Sequence, residues 1–132
     1  MTDILSYILG EHAKVTKKGD SITGKFNDIL MNRSLIVSEE ASFHGNTNSK
    51  NQFKHLITSH TMTIEKKGIS QFQTRNCLNF ILYTNEYHVI TIDKGSRRYL
   101  TIKVSDKMKG NDDYFRPLVE MKFSPKAQGA HQ

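Results

Sequence analysis

Short apolar runs alternate with longer polar ones along this chain, and their spacing predicts its elements. Asp3 to Leu9 has apolar residues at helical intervals and ends at Gly10, so an amphipathic helix is expected there. Glu11 to Asp20 is polar and basic, a loop with room for one short strand. Asp20 or Ser21 can cap a second helix running through Phe26, Ile29, Leu30 and Met31. Ser34 to Ser38 is almost wholly apolar, which suits a central strand covered on both faces. A polar loop over Ser42 to Ser49 leads to a helix over Asn51 to Ser59, with Phe53, Leu56 and Ile57 on one side. Thr61 to Glu65 alternates, Lys66-Lys67-Gly68 turns, and Ile69 to Thr74 returns, giving a hairpin. Leu78 to Thr84 reads as a second buried strand. Thr91 to Asp93 reads as a short extended piece, and Tyr99 to Val104 as a third strand. Asp112 to Met121 is helical in pattern, with Pro117 expected to kink or restart it.

Helices alternating with buried strands predict an α/β layer with a mainly parallel sheet, flanking helices and an inserted, exposed β-hairpin. The length of 132 residues suits one domain over residues 1–123, followed by a frayed tail over 124–132. No apolar run approaches the ~20 residues needed to cross a bilayer, and no leader pattern opens the chain. No membrane role is therefore expected, and an intracellular setting is the expectation. Cys77 is the only cysteine, which excludes an intrachain disulfide and a cysteine-built zinc site. The six histidines form no metal-binding pair at helical spacing. The net charge of +6 favours a polyanionic partner such as nucleic acid.

Four features carry candidate chemistry. Glu39-Glu40 follow the strand Leu35-Ile36-Val37-Ser38, where carboxylates can hold magnesium and polarise water. Asn85 ends the second buried strand, where an amide can touch a phosphate. Arg97-Arg98 follow a turn and can stabilise charge on a transferring phosphoryl group. Lys66-Lys67 at a hairpin tip can contact a phosphate backbone. Each also has an ordinary reading, as a strand meeting solvent, a strand-ending Asn, a basic turn or a solubilising tip. Ligands in open α/β sheets bind outside the carboxyl ends of the strands, so Glu39, Glu40 and Asn85 are expected to share an edge. Gly19 to Lys25 fits G-x-x-x-x-G-K, but Phe26 stands where a phosphate loop needs Ser or Thr.

In their order from Ile22 to Val104, these features resemble the helicase domain of primase-helicases from phages, viruses and mobile elements. Those are superfamily III-type helicases with an AAA+ core. The matching text is Gly24-Lys25-Phe26-Asn27, the Leu35 to Glu40 strand, Phe53 to Thr58, Ile64 to Gly68, Asn79 to Asn85 and Arg97-Arg98-Tyr99. The resemblance implies a partial AAA+ core of the P-loop NTPase type. It implies that Glu39-Glu40 are the Walker B acids, Glu39 holding Mg²⁺ through water, Asn85 the sensor 1 residue and Arg97-Arg98 the arginine-finger region. Lys66 and Lys67 become the tip of a DNA-tracking hairpin, with Lys54 and His55 as further nucleic-acid contacts. The implied cofactors are ATP and Mg²⁺. The implied partners are single-stranded DNA and further copies in a hexameric ring, or a full-length helicase. The family's G-x-x-G-x-G-K-[ST] loop has no counterpart here, so the expectation is the C-terminal part of a replication helicase core that is inactive alone. Two other readings stay open: an accessory or inhibitory single-stranded-DNA-binding module, and a different small enzyme built on Glu39-Glu40 with Arg97-Arg98.

Overall fold

The structure, a computed structural model, describes residues 2–17, 20–39, 47–85 and 95–122. It divides into two units, residues 1–99 and residues 100–132. In the first unit, helix α1 (Thr2–Leu9) leads through a 3-10 turn into strand β1 (Ala13–Thr16), then a single helical turn, α2 (Asp20–Thr23). A second 3-10 turn (Asp28–Leu30) precedes strand β2 (Leu35–Ser38) and helix α3 (Thr47–Thr58). Strands β3 (Thr61–Lys66) and β4 (Ile69–Arg75) form the hairpin, and β5 (Asn79–Leu82) follows. The second unit contains helix α4 (Asp112–Lys122).

The parallel sheet has the order β1-β2-β5, with Thr16, Ser38 and Leu82 level in register at its carboxyl edge. Central β2 is buried along its whole length, as its unbroken apolar run requires. Its alternating side chains serve two cores. Ile36 packs with Ile22, Leu30, Phe53, Met62 and Ile64 on one face. Leu35 and Val37 pack with Ala13 on the other, against Leu5 and Leu9 of α1. Gly10, just past α1, takes the left-handed φ of +52°, the usual glycine ending of a helix.

The hairpin pairs antiparallel, Thr61 with Arg75 through Lys66 with Ile69, with a register shift between Ile64 and Lys66. Gly68 in its turn has φ +77°. The expected fully exposed hairpin is half right. Its outward residues Thr61 and Thr63 are exposed, but Met62 and Ile64 are part of the core.

Three expectations are corrected. The helix expected through Phe26 to Met31 is broken: α2 stops at Thr23, and Phe26 is exposed. Asn27 pairs instead with β3, its backbone N–H donating to Glu65 O at 3.2 Å, and only a 3-10 turn follows over Asp28–Leu30. Helix α3 begins at Thr47, earlier than expected, within the polar stretch read as loop. Tyr99 to Val104 is not a strand. Leu100, Ile102 and Val104 are 87%, 72% and 83% exposed, and no strand among the described residues pairs with them, so their β-type spacing has no sheet to join. Helix α4 runs through Pro117 without restarting. The short piece at Thr91 to Asp93 and the tail over 124–132 lie outside the described residues.

Candidate functional site

Two places in the first unit hold the candidate residues: the carboxyl edge of the parallel sheet and the hairpin. At the edge, Glu39 continues the ladder beyond β2, its backbone N–H donating to Thr16 O at 2.8 Å. The half-buried Glu39 carboxylate accepts from Thr2 Oγ1 at 3.1 Å, so α1 opens at the same edge. A carboxylate there lies on the favourable side of the helix dipole. Ser38 is fully buried and its Oγ has no partner among the described residues. Tyr83 N–H extends the β2–β5 ladder to Ser38 O at 2.9 Å, and exposed Asn85 follows two residues later. Glu39 and Asn85 therefore leave adjacent parallel strands at one edge. Glu40 lies outside the described residues. Arg97 and Arg98 are exposed on the segment that returns to the core at Tyr99.

Mg²⁺ prefers oxygen ligands and keeps several of its waters, so a site of few protein donors suits it. The Glu39 carboxylate is a donor of that kind, while the buried Ser38 hydroxyl lies on the other face of the sheet. Among the described residues no cluster of three or more acidic, His or Cys side chains could cage a metal by itself. Lys25 does not serve this edge. Its Nζ is 3.7 Å from Glu65 Oε1 on β3, so the Gly24-Lys25 pair belongs to the hairpin side.

The hairpin is held by two asparagines, Asn27 along the outer half of β3 and Asn76 at the root. Asn27 Nδ2 donates to Thr63 O at 2.9 Å, and its Oδ1 accepts from Glu65 N–H at 2.8 Å. The side-chain amide thus occupies the free edge of β3 as a short strand would. Asn76 Nδ2 donates to Leu56 O at 2.7 Å and Ser59 O at 2.8 Å, while its Oδ1 accepts from Leu78 N–H at 3.0 Å. That ties the end of α3 to the exit of β4. Asn27→Ala is expected to lower stability by about 1–3 kcal/mol, because it removes two side-chain hydrogen bonds from the free edge of β3. Chemical denaturation measures it, and an unchanged midpoint would remove Asn27 from this role.

Lys66 and Lys67 stand at the hairpin's far end, Lys66 half-buried and Lys67 exposed. His55 is exposed on α3, its ring 3.1 Å from Ser59 Oγ, and it faces a cleft shared with the hairpin root. Lys54 is half-buried beside it. The hairpin and α3 thus present cations on neighbouring elements. Neither asparagine was given this role by the sequence, because Asn27 fell inside the expected second helix and Asn76 between two expected strands.

Together these features describe an α/β layer with a basic hairpin inserted between two neighbouring parallel strands. The chain belongs to the family described as a family of unknown function (DUF5906), which it matches over residues 1–98. It is similar to the DNA primase-polymerase of Nitratiruptor phage NrS-1, at 27% identity over 112 residues, covering 83% of this chain and 16% of that protein. Among solved structures, it is similar to the apo C-terminal region of the NrS-1 protein, with TM-score 0.73 and 27% identity over 89% of this chain and 30% of that one. A second form of that region gives TM-score 0.72 at 27% identity, over 90% of this chain and 30% of that one. The chain is thus a homologue of the C-terminal region of a phage protein, and it spans about one-sixth of that protein's length.

Proposed function

We propose that this chain is part of the motor core of a phage-type replication protein, of the superfamily III, AAA+ helicase kind, and that its hairpin contacts single-stranded DNA. The hairpin is the observation that carries the reading. It is inserted between adjacent parallel strands β2 and β5, with Lys66 and Lys67 at its tip. Three further features favour it: all strands of the main sheet are parallel, Glu39 and Asn85 leave neighbouring strands at one edge, and α1 opens at that edge. The similarity to a protein named a DNA primase-polymerase supports a place in replication.

In this reading Glu39 holds a magnesium ion through water, Glu40 polarises the attacking water and Asn85 touches a phosphate. Arg97 and Arg98 reach the nucleotide of a neighbouring copy, and Lys54 and His55 join the hairpin lysines on the strand. Bound ATP with Mg²⁺ supplies the phosphoanhydride whose cleavage drives movement. The protein's own task is to hold the acid and the amide on rigid strand ends and to couple that edge to the hairpin through the shared core.

Anisotropy of a labelled single strand tests the reading when repeated between about 50 and 200 mM salt. Affinity is expected to fall with a log–log slope of about −0.7 for each phosphate contacted. Absent binding, or an affinity indifferent to salt, would refute it.

A further inference from the structure

Beside the hairpin root a cleft of about 360 Å³ opens between α2, α3 and β3–β4. Its polar lining includes Thr23, Asn27, Gln52, His55 and Gln73, with Thr61 and Thr63 of β3. Ile22, Leu56 and Met62 give it an apolar floor. None of the described residues that line it is Lys, Arg, Asp or Glu. Thr23 is 8% exposed, and its buried Oγ1 has no hydrogen-bond partner among the described residues.

We propose that this cleft binds one unpaired nucleobase of a single strand. The inference rests on the hairpin reading and adds to it a site for the base. A volume of this size suits a small organic ligand. A lining with no lysine or arginine, and His55 as its one titratable group, gives a phosphate little counter-charge, which argues against phosphate as the occupant. The amides of Gln52 and Gln73 offer donor and acceptor together, the combination that pairs with the edges of unstacked bases. The apolar floor can take the face of a planar ring. Thr23 Oγ1 is a buried hydroxyl that a base donor or acceptor would satisfy, and such orphaned groups are uncommon in folded proteins.

Charge is placed at the rim instead. Lys25, beside Gly24, is 75% exposed, and Arg75 pairs across the hairpin with Thr61, which also lines the cleft. A strand lying with one base in the cleft would have its phosphates beside these cations. Thr63 and Gln73 are opposite one another on the two arms, so the wall of the cleft and the hairpin tip belong to one two-stranded ladder, with a register shift between them.

The probes are the four free deoxynucleosides, which carry no phosphate, titrated into the full chain and followed by NMR of the side-chain amides. At least one is expected to give saturable shifts at Gln52 and Gln73. Gln52→Leu with Gln73→Leu should abolish them, and Lys66→Ala with Lys67→Ala should leave them in place. Thr23→Val, nearly isosteric, should weaken binding several-fold. An oligonucleotide with abasic positions should bind about tenfold more weakly than its base-bearing counterpart. If no nucleoside shifts these amides while the oligonucleotide binds equally well with and without bases, the cleft assignment is overturned and the hairpin reading survives. If nucleosides bind and no oligonucleotide does, the hairpin reading fails and the assignment of a single-strand base falls with it. If neither probe binds, both fall.

Discussion

Phe53→Ala is expected to lower the unfolding free energy by about 3–5 kcal/mol, the range for emptying a buried aromatic site. Phe53 is the residue through which α3 meets the sheet. It is 2% exposed and packs in the cluster formed by Ile22, Leu30, Ile36, Met62 and Ile64. Its ring meets Phe80 of β5 edge to face, with centroids 4.9 Å apart and planes at 73°. Such a pair adds about 0.5–1.5 kcal/mol beyond the burial of area, so truncation loses both contributions. The neighbours come from three strands and two helical turns, which limits how far the gap can collapse. Urea denaturation followed by circular dichroism measures the loss. Phe53→Leu, which retains most of the volume, should recover more than half of it. A change smaller than about 1 kcal/mol for Phe53→Ala would mean that α3 does not dock on the sheet in this way.

The second large effect concerns binding. Lys66→Ala with Lys67→Ala is expected to weaken single-stranded DNA about tenfold or more at moderate salt. It should also reduce the steepness of the salt dependence by about 1.4, the value for two lost phosphate contacts on a single strand. The change in slope matters more than the affinity. A structural disturbance would lower the amount of active protein without changing how affinity scales with salt. Neither lysine belongs to the cores on either face of the sheet, so the fold should be retained. Equal slopes for the variant and the parent would assign the DNA contact elsewhere on the molecule.

Much of the first unit was legible because its signals are local and strong. The unbroken run Leu35-Ile36-Val37 could only be a strand covered on both faces, and it is. The hairpin was legible from alternation around Lys67-Gly68, where glycine supplies a backbone angle other residues resist. The failures came from long-range competition. Ile22 and Phe26 have helical spacing, but the pairing of Asn27 with β3, far along the chain, opposes a continuous helix. Leu100, Ile102 and Val104 have strand spacing, but among the described residues no strand pairs with them, which no local pattern reveals. The edge shared by Glu39 and Asn85 was legible from strand ends alone. The cleft was not, because its lining gathers from α2, α3 and both arms of the hairpin, and none of those residues is unusual in its own neighbourhood.

Met62 and Ile64 lie on the hairpin and are 6% and 0% exposed, in one cluster with Ile36 of the central strand. The arm is therefore a stiff lever, not a tether. Pulling on its tip would tilt the whole layer, because a close-packed interior transmits displacement with little compliance. Hydrogen exchange can read this directly: the amides of Met62 and Ile64 should exchange as slowly as that of Ile36, and faster exchange at the arm would mean that it swings on its own.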